Sequence, residues 1–112
     1  MEKTSYSEKI AQKALEMGAI RLSPQKPFCW ASGYYMPIYN DNRTLLGDWE
    51  ARKMIASAFG EILSSIGFDP DNIAGTSTAG IPHATTLSDM LHKPLTYIRS
   101  SGKDHGLKNQ IE

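Results

Sequence analysis

Apolar residues recur at helical spacing in separate stretches of the chain, which predicts three helices. In residues 48–66 they repeat every three or four positions and form one stripe. A shorter helix is expected over residues 5–17, since Ser5 and Glu8 have the spacing of a capping box and Gly18 is suited to end the helix in a left-handed conformation. A third is expected over residues 81–91, where Pro82 falls in the first turn and is tolerated. The stripe in residues 48–66 consists of Ala51, Met54, Ile55, Ala58, Phe59, Ile62, Leu63 and Ile66.

Short apolar runs at residues 73–76 and 95–99 flank the third predicted helix. Strand, helix and strand at this spacing predict a βαβ unit with parallel strands, and therefore an α/β fold. We expect the free edge of the strand at 95–99 to be covered by another copy of the chain or left open. Residues 100–112 are polar and punctuated by glycine, which predicts a mobile loop.

An aromatic-rich stretch over residues 28–43 has the pattern of a hairpin. Ser32-Gly33 predicts the turn, and Pro37 predicts that the second strand lies at a sheet edge. The aromatic residues in this stretch leave two interpretations open: they form a stacking platform for a base, or they pack in the core or in a dimer contact. The residues concerned are Trp30, Tyr34, Tyr35 and Tyr39.

Composition and charge exclude several classes of protein. Lys plus Arg and Asp plus Glu both number 12 among the 112 residues, so nothing in the charge balance suggests a nucleic-acid or membrane partner. The single cysteine, Cys29, excludes an intramolecular disulfide framework and fits a reducing cytoplasm. No apolar run approaches the roughly 20 residues needed to span a bilayer. These observations predict a cytoplasmic protein.

The stretch from Ile73 to His83 carries the strongest chemical signal. A short strand is followed by glycines and small hydroxylated residues and then by a helix start. Such a turn presents backbone N–H groups and the positive end of the helix dipole, a combination that favours phosphate binding. Small residues are also common in ordinary strand-to-helix connections, so the turn alone leaves that alternative open.

Further motifs resemble orotate phosphoribosyltransferases when they are taken together with this turn. The motifs, in order, are FCWASG at 28–33, PIYNDNR at 37–43, AGTSTAGIPHA at 74–84 and RSSGKDHG at 99–106. The resemblance implies a partial type I phosphoribosyltransferase fold, with an N-terminal helix and hood hairpin in residues 1–47. Residues 48–112 would then be the first βαβ unit of the parallel sheet and end in a mobile catalytic loop. The reaction implied is transfer of a phosphoribosyl group from phosphoribosyl pyrophosphate to orotate in pyrimidine biosynthesis, giving orotidine monophosphate and pyrophosphate.

The same resemblance implies roles for individual residues. Lys103 and His105 would be catalytic residues on the mobile loop and, with Arg99, would contact phosphoribosyl pyrophosphate. The rest of that site would be the turn formed by Thr76, Ser77, Thr78, Ala79 and Gly80. Orotate would meet hood residues Phe28, Ser32, Tyr39 and Asn40. Mg²⁺ would be bound mainly through the pyrophosphate substrate, no other metal site is expected, and the protein would be a homodimer.

The sequence departs from the family pattern in two respects. Many members have Lys at the positions of Ala31 and Ala79, so either phosphate binding is weaker here or other donors such as Lys26 or Arg43 replace those cations, and we favour replacement. The family's signature for the ribose 5-phosphate lies downstream of the mobile loop, beyond Glu112. We therefore expect the 112-residue chain to be inactive by itself, as a fragment or a truncated reading frame. A non-catalytic phosphate- or nucleotide-binding module is the alternative.

Overall fold

The computed structural model describes residues 5–102, 106 and 109–112, and there the predicted helices and the βαβ unit are confirmed. The helices are α1 (Tyr6–Glu16), α2 (Trp49–Ser65) and α3 (Gly80–Leu91), and a 3-10 helix that the sequence did not predict covers Asn42–Gly47. The strands are β1 (Ile20–Leu22), β2 (Phe28–Cys29), β3 (Tyr35–Met36), β4 (Ile38–Asn40), β5 (Ile73–Thr76) and β6 (Leu95–Ile98). The chain forms two compact units, Met1–Ala51 and Arg52–Glu112. Within the described ranges, no helix combines the length and apolar character needed to cross a bilayer.

In the first unit, local side-chain contacts set the ends of α1. The Glu8 N–H donates to Ser5 Oγ at 3.2 Å, so Ser5 caps the helix as predicted. Gly18 has a φ of 76°, which a residue with a Cβ adopts only at a cost. Lys13 Nζ lies 2.9 Å from Asp48 Oδ2, and this ion pair links α1 to the residue before α2.

The strands of the first unit form two antiparallel pairs. β2 pairs with β3, with Phe28 opposite Met36, which confirms the predicted hairpin. β1 pairs with β4, with Leu22 opposite Ile38. Pro37 stands between β3 and β4, and its carbonyl accepts a hydrogen bond from the Ser23 N–H at 2.7 Å. Proline therefore lies where the chain leaves one pair and enters the other, and its missing N–H costs neither pair a hydrogen bond.

The second unit is built on the parallel pair of β5 and β6. Ile73 lies opposite Leu95 and Thr76 opposite Ile98, as the predicted βαβ unit requires. Alternate residues of β5 are buried, and Ile73 packs with Ala84 of α3 in the core cluster. The other members of that cluster are Ala56 and Leu87, with Leu91 packed against it. α3 therefore rests on one face of the strand pair.

The second edge of β6 is filled by the chain itself. Ile111 bridges Ile98 in antiparallel orientation, and Tyr97 and Glu112 exchange two backbone hydrogen bonds of 2.8 Å. The expectation that this edge would be open or covered by another copy is wrong. Residues 109–112 contain one apolar residue, Ile111, so their sequence gives little indication of a strand. The pairing here depends on backbone groups, which every residue has. The expected mobile loop falls partly at 103–105 and 107–108, outside the described residues.

The apolar stripe of α2 is only partly buried. Ala51 is 2% exposed and Ala56, which lies off the predicted stripe, is 1% exposed. Phe59, Ile62 and Ile66 are 49%, 55% and 68% exposed. The periodicity therefore predicted the helix correctly, but the described residues leave the second half of the stripe uncovered.

Candidate functional site

The turn after β5 lies at the carboxyl end of the parallel strands. Thr76 and Ile98 are opposite one another as the last residues of their strands. The Ser77 N–H donates to the Ile98 carbonyl at 2.8 Å. This hydrogen bond holds the turn beside the end of β6, and Arg99 is the next residue. Ligands of open α/β sheets bind outside the carboxyl ends of the strands. The structure thus brings the predicted turn and the predicted cation Arg99 to one edge.

Gly75 and Gly80 allow the turn to close tightly on itself. A Cβ on Gly75 would lie 2.7 Å from the Gly80 carbonyl oxygen and 2.8 Å from the Ala84 Cβ. A Cβ on Gly80 would lie 3.0 Å from Thr76 Oγ1. Such distances leave no room for a methyl group at Gly75 without movement of the backbone. The two glycines therefore permit close approach of the protein's own backbone at this turn.

The amino terminus of α3 faces this turn without a side-chain cap. Ala79 occupies the cap position, makes no side-chain hydrogen bond there, and the first turn contains no acidic residue. The Ile81 N–H donates to the Thr78 carbonyl at 3.2 Å, and the Ser77–Thr78 peptide bond is cis. The helix end carries partial positive charge, so the turn is electrostatically suited to an anion. Every predicted turn residue from Thr76 to Ala79 is exposed and Gly80 is half-buried.

Arg99 is fixed through its backbone at the end of β6. Its N–H donates to the Gln110 carbonyl at 2.8 Å, and its carbonyl accepts from Gln110 Nε2 at 3.1 Å. Its side-chain Nε is buried and has no hydrogen-bond partner among the described residues. A buried donor without a partner is costly, so Arg99 has capacity for a further acceptor. Lys103 and His105 lie outside the described residues, and their roles stay predictions.

His83 lies in the first turn of α3, near the candidate anion site. Burial, and secondarily the nearby Arg52 guanidinium, lower the pKa of His83 below its usual value. Its Nδ1 is buried without a hydrogen-bond partner in the described part of the chain. The imidazole is therefore neutral at physiological pH, and the positive character of the turn does not come from it.

The predicted orotate residues lie in the first unit, and the structure brings two of them together. The rings of Phe28 and Tyr39 have centroids 5.7 Å apart and are tilted by 50°. Ser32 lies in the β2–β3 turn, where its Oγ accepts from the Tyr34 N–H at 3.5 Å. Asn40 is the last residue of β4 and lies opposite Ile20 of β1.

The exposure of the aromatic residues decides part of the question that the sequence left open. Trp30 is 36%, Tyr34 69%, Tyr35 72% and Tyr39 40% exposed. None of these four side chains therefore packs in a core formed by the described residues. A dimer contact and a stacking platform remain as predictions.

A bidentate ion pair follows β4 and was missed by the sequence analysis. Arg43 Nε and Nη2 donate to the two carboxylate oxygens of Asp41 at 2.9 and 3.1 Å. This contact lowers the pKa of Asp41 and raises that of Arg43. Arg43, one of the two proposed replacements for the missing lysines, is thus already engaged, whereas Lys26 is exposed. An Asp that begins an Asx turn before Arg is the signal that could have revealed the pair.

The described residues contain no group of three or more His, Cys, Asp or Glu side chains that could hold a metal ion. The candidate anion turn itself offers hydroxyl and backbone groups. This donor set does not make a protein cage for Mg²⁺, which prefers carboxylate and phosphate oxygens.

Comparison with known proteins finds relatives that are named orotate phosphoribosyltransferase. Orotate phosphoribosyltransferase of Lactococcus lactis subsp. cremoris (strain MG1363) is 49% identical over 108 residues, which are 96% of this chain and 52% of that protein. The enzyme of Listeria monocytogenes serotype 4b (strain F2365) is 46% identical over the same shares. The chain therefore spans about half the length of the curated relatives it matches. No family model matches the sequence.

Solved structures with a similar fold include orotate phosphoribosyltransferases. Orotate phosphoribosyltransferase from Aeropyrum pernix superposes with a TM-score of 0.73 at 31% identity, over 92% of this chain and 56% of that one. The enzyme from Mycobacterium tuberculosis gives 0.69 at 21% identity, over 93% and 57%, which supports the fold alone. The resemblance inferred from the motifs is confirmed: the chain is related to orotate phosphoribosyltransferases, spans about half of such a protein, and has part of the type I phosphoribosyltransferase fold.

Proposed function

We propose that this chain provides the diphosphate-binding turn and the orotate-binding hairpin of an orotate phosphoribosyltransferase. The observation that carries the proposal is the uncapped amino terminus of α3, which is closed against β5 by Gly75 and Gly80 and follows a turn that is hydrogen-bonded to Ile98, the residue before Arg99. An anion with several phosphate oxygens fits this arrangement, since backbone N–H groups and a guanidinium both donate to it. The relatives supply the identity of the substrates, phosphoribosyl pyrophosphate and orotate.

The chemistry of phosphoribosyl transfer explains why such a site is useful. The bond between the ribose carbon and the diphosphate breaks as the base attacks, so negative charge grows on the leaving group and positive charge on the sugar. Donors already arranged around the diphosphate stabilise that charge as it develops. Lys103 and His105 would add to this stabilisation and help to exclude water, and this remains part of the proposal.

Mg²⁺ belongs to the proposal only as a companion of the diphosphate. As the resemblance implies, it would be bound mainly through phosphate oxygens of the diphosphate, and it would neutralise charge on the leaving group. The turn residues would then bind the diphosphate through oxygens that the metal leaves free. We also propose that the protein forms a homodimer, as the resemblance implies.

Binding of inorganic pyrophosphate to the 112-residue chain tests the anion site directly. Ser77→Asp places a carboxylate in the turn, and Ser64→Asp makes the same change at an exposed position near the end of α2. We expect calorimetry to show pyrophosphate affinity about tenfold weaker or worse for Ser77→Asp, because two like charges near a protein surface repel by several kcal/mol before screening. Ser64→Asp should bind as the wild type does. Equal affinities for all three proteins would refute the assignment of the turn.

An assay of turnover tests the expected inactivity of the isolated chain, and only a positive result would exclude the alternative of a non-catalytic binding module. We expect this chain to bind pyrophosphate without forming orotidine monophosphate from orotate and phosphoribosyl pyrophosphate. Orotidine monophosphate formation above background would overturn the expected inactivity of the isolated chain. It would also establish the transferase activity.

A further inference from the structure

Trp30 makes an unusual contact for an aromatic residue that is not in a core. Its indole Nε1–H donates to the backbone carbonyl of Ile38 at 2.9 Å. Its own backbone is fixed in the β2–β3 turn, where its N–H donates to the Tyr34 carbonyl at 2.9 Å and its carbonyl accepts from the Gly33 N–H at 2.8 Å. The side chain is 36% exposed, so apolar burial alone does not explain its orientation.

The indole hydrogen bond joins strands that no backbone pairing joins. β2 pairs with β3, and β4 pairs with β1, in separate two-stranded sheets. Phe28 in β2 and Tyr39 in β4 nevertheless bring their rings to 5.7 Å. Trp30 is two residues after Phe28, and Ile38 immediately precedes Tyr39. The bond from Trp30 to Ile38 therefore fixes the separation of the two strands close to this ring pair.

We propose that Trp30 is a positioning residue, which sets the spacing of Phe28 and Tyr39 for a flat, anionic pyrimidine ligand. This inference rests on the proposed function, which assigns both rings to the orotate site. Stacking energies depend on ring offset and distance, so a change in strand separation would weaken binding of the base. Pyrophosphate binding, assigned to the turn after β5, should be independent of Trp30.

The test uses Trp30→Phe, which keeps an aromatic ring but removes the donor. Trp49→Phe is the matched control, since Trp49 is 62% exposed and lies outside the hairpin. A second variant, Trp30→His, restores an N–H donor on a smaller ring. The measurements are orotate affinity, pyrophosphate affinity, melting temperature, and the nuclear Overhauser contact between the Phe28 and Tyr39 rings in the whole chain.

We expect Trp30→Phe to weaken the ring contact and to lower orotate affinity about fivefold, the typical worth of one neutral hydrogen bond. Pyrophosphate affinity should be unchanged, Trp49→Phe should resemble the wild type, and Trp30→His should regain part of the orotate affinity. An intact ring contact with unchanged orotate affinity in Trp30→Phe would overturn the inference. So would a parallel loss of both ligands with a lower melting temperature, since that pattern indicates a merely structural role.

The outcome for the wild-type chain separates this inference from the proposed function. If the wild type fails to bind orotate, the assignment of the hairpin as an orotate site fails and Trp30 has no ligand to position. The ring contact then decides whether Trp30 sets the spacing of Phe28 and Tyr39 at all. If the wild type binds orotate and the Trp30 variants behave like the wild type, the site stands and the role of Trp30 falls.

Discussion

Replacing Gly75 by Ala should damage the turn because there is no space for the added methyl group. The new Cβ would lie 2.7 Å from the Gly80 carbonyl oxygen and 2.8 Å from the Ala84 Cβ. Both obstacles belong to α3, one of them to its backbone, so neither can move aside as the end of a flexible side chain could. The amino terminus of α3 must therefore shift away from β5, and that helix end is the proposed anion site.

The size of the effect follows from a comparison with Gly60→Ala. Gly60 lies within α2, and a Cβ added there would meet nothing within 4 Å, so Ala at this position should stabilise the protein by about 0.5–1 kcal/mol. Replacing glycine by alanine also reduces the conformational entropy of the unfolded chain, and at Gly75 this effect favours the folded state by about 0.4–1 kcal/mol. Overpacking costs about 1–3 kcal/mol, and contact with backbone favours the upper half of that range. We expect Gly75→Ala to lose about 1–2 kcal/mol, and the two variants to differ by about 1.5–3 kcal/mol.

Urea denaturation of the wild type and both variants measures this difference, provided that the slope of each transition is the same. Isothermal calorimetry with pyrophosphate then shows whether the shift of α3 reaches the proposed site. Gly75→Ala should bind pyrophosphate more weakly than the wild type, and Gly60→Ala should bind it equally well. If Gly75→Ala is as stable as Gly60→Ala, the close packing of β5 against α3 is not what constrains this position. If it is less stable but binds pyrophosphate normally, the anion does not bind at this end of α3.

Three further changes test other features of the fold. His92 ends α3 with a φ of 55°, and His92→Gly should raise the unfolding free energy by about 0.5–1 kcal/mol in urea, since the left-handed conformation costs a residue with a Cβ more than it costs glycine. Ser5→Ala removes the acceptor for the Glu8 N–H and should lower that free energy by about 1 kcal/mol, whereas Ser5→Asp should not. Because the pKa of His83 is lower in the folded than in the unfolded state, its contribution to stability is present above about pH 6.5 and is lost as the pH falls toward the folded pKa. His83→Gln should therefore make the unfolding free energy less dependent on pH as the pH falls below about 6.5, whereas the lowered pKa values of Asp48 and Asp41 place their titration at more acidic pH.

The elements that the sequence predicted well are those in which a periodic pattern and a terminating residue agree. α1 has a Ser cap, an apolar face and a glycine at its end, and its observed limits differ from the predicted ones by one residue at each side. β5 and α3 are separated by a glycine-containing turn, and a βαβ unit allows only one orientation of its strands. In these cases a short stretch of sequence contains the residues that set the type of the element and its ends.

The features that the sequence did not predict depend on partners distant in the chain or on backbone groups alone. The pairing of residues 110–112 with β6 uses N–H and C=O groups that every residue has, so the composition of that segment carries no signal for it. The pairing of β1 with β4 joins residues on either side of an intervening hairpin, and alternation of apolar residues is too short there to indicate a partner. In the second half of α2 the sequence predicted the helix but not its packing, since Phe59, Ile62 and Ile66 are exposed. Periodicity predicts that a helix has an apolar face and does not predict what that face contacts.

The candidate anion site differs from the aromatic site in what a sequence can reveal about it. In the turn after β5, the groups suited to an anion are backbone amides, and the informative residues are Gly75 and Gly80, whose lack of a side chain lets the turn close. In the hairpin, the informative group is the Trp30 indole, whose hydrogen-bond partner is a carbonyl eight residues away. A site made of backbone groups can be recognised in a sequence by its small residues. A site that depends on a side-chain hydrogen bond can be recognised only when the fold shows which acceptor lies near the donor. Hence the glycines could be recognised from spacing, and the role proposed for Trp30 could be recognised only in the structure.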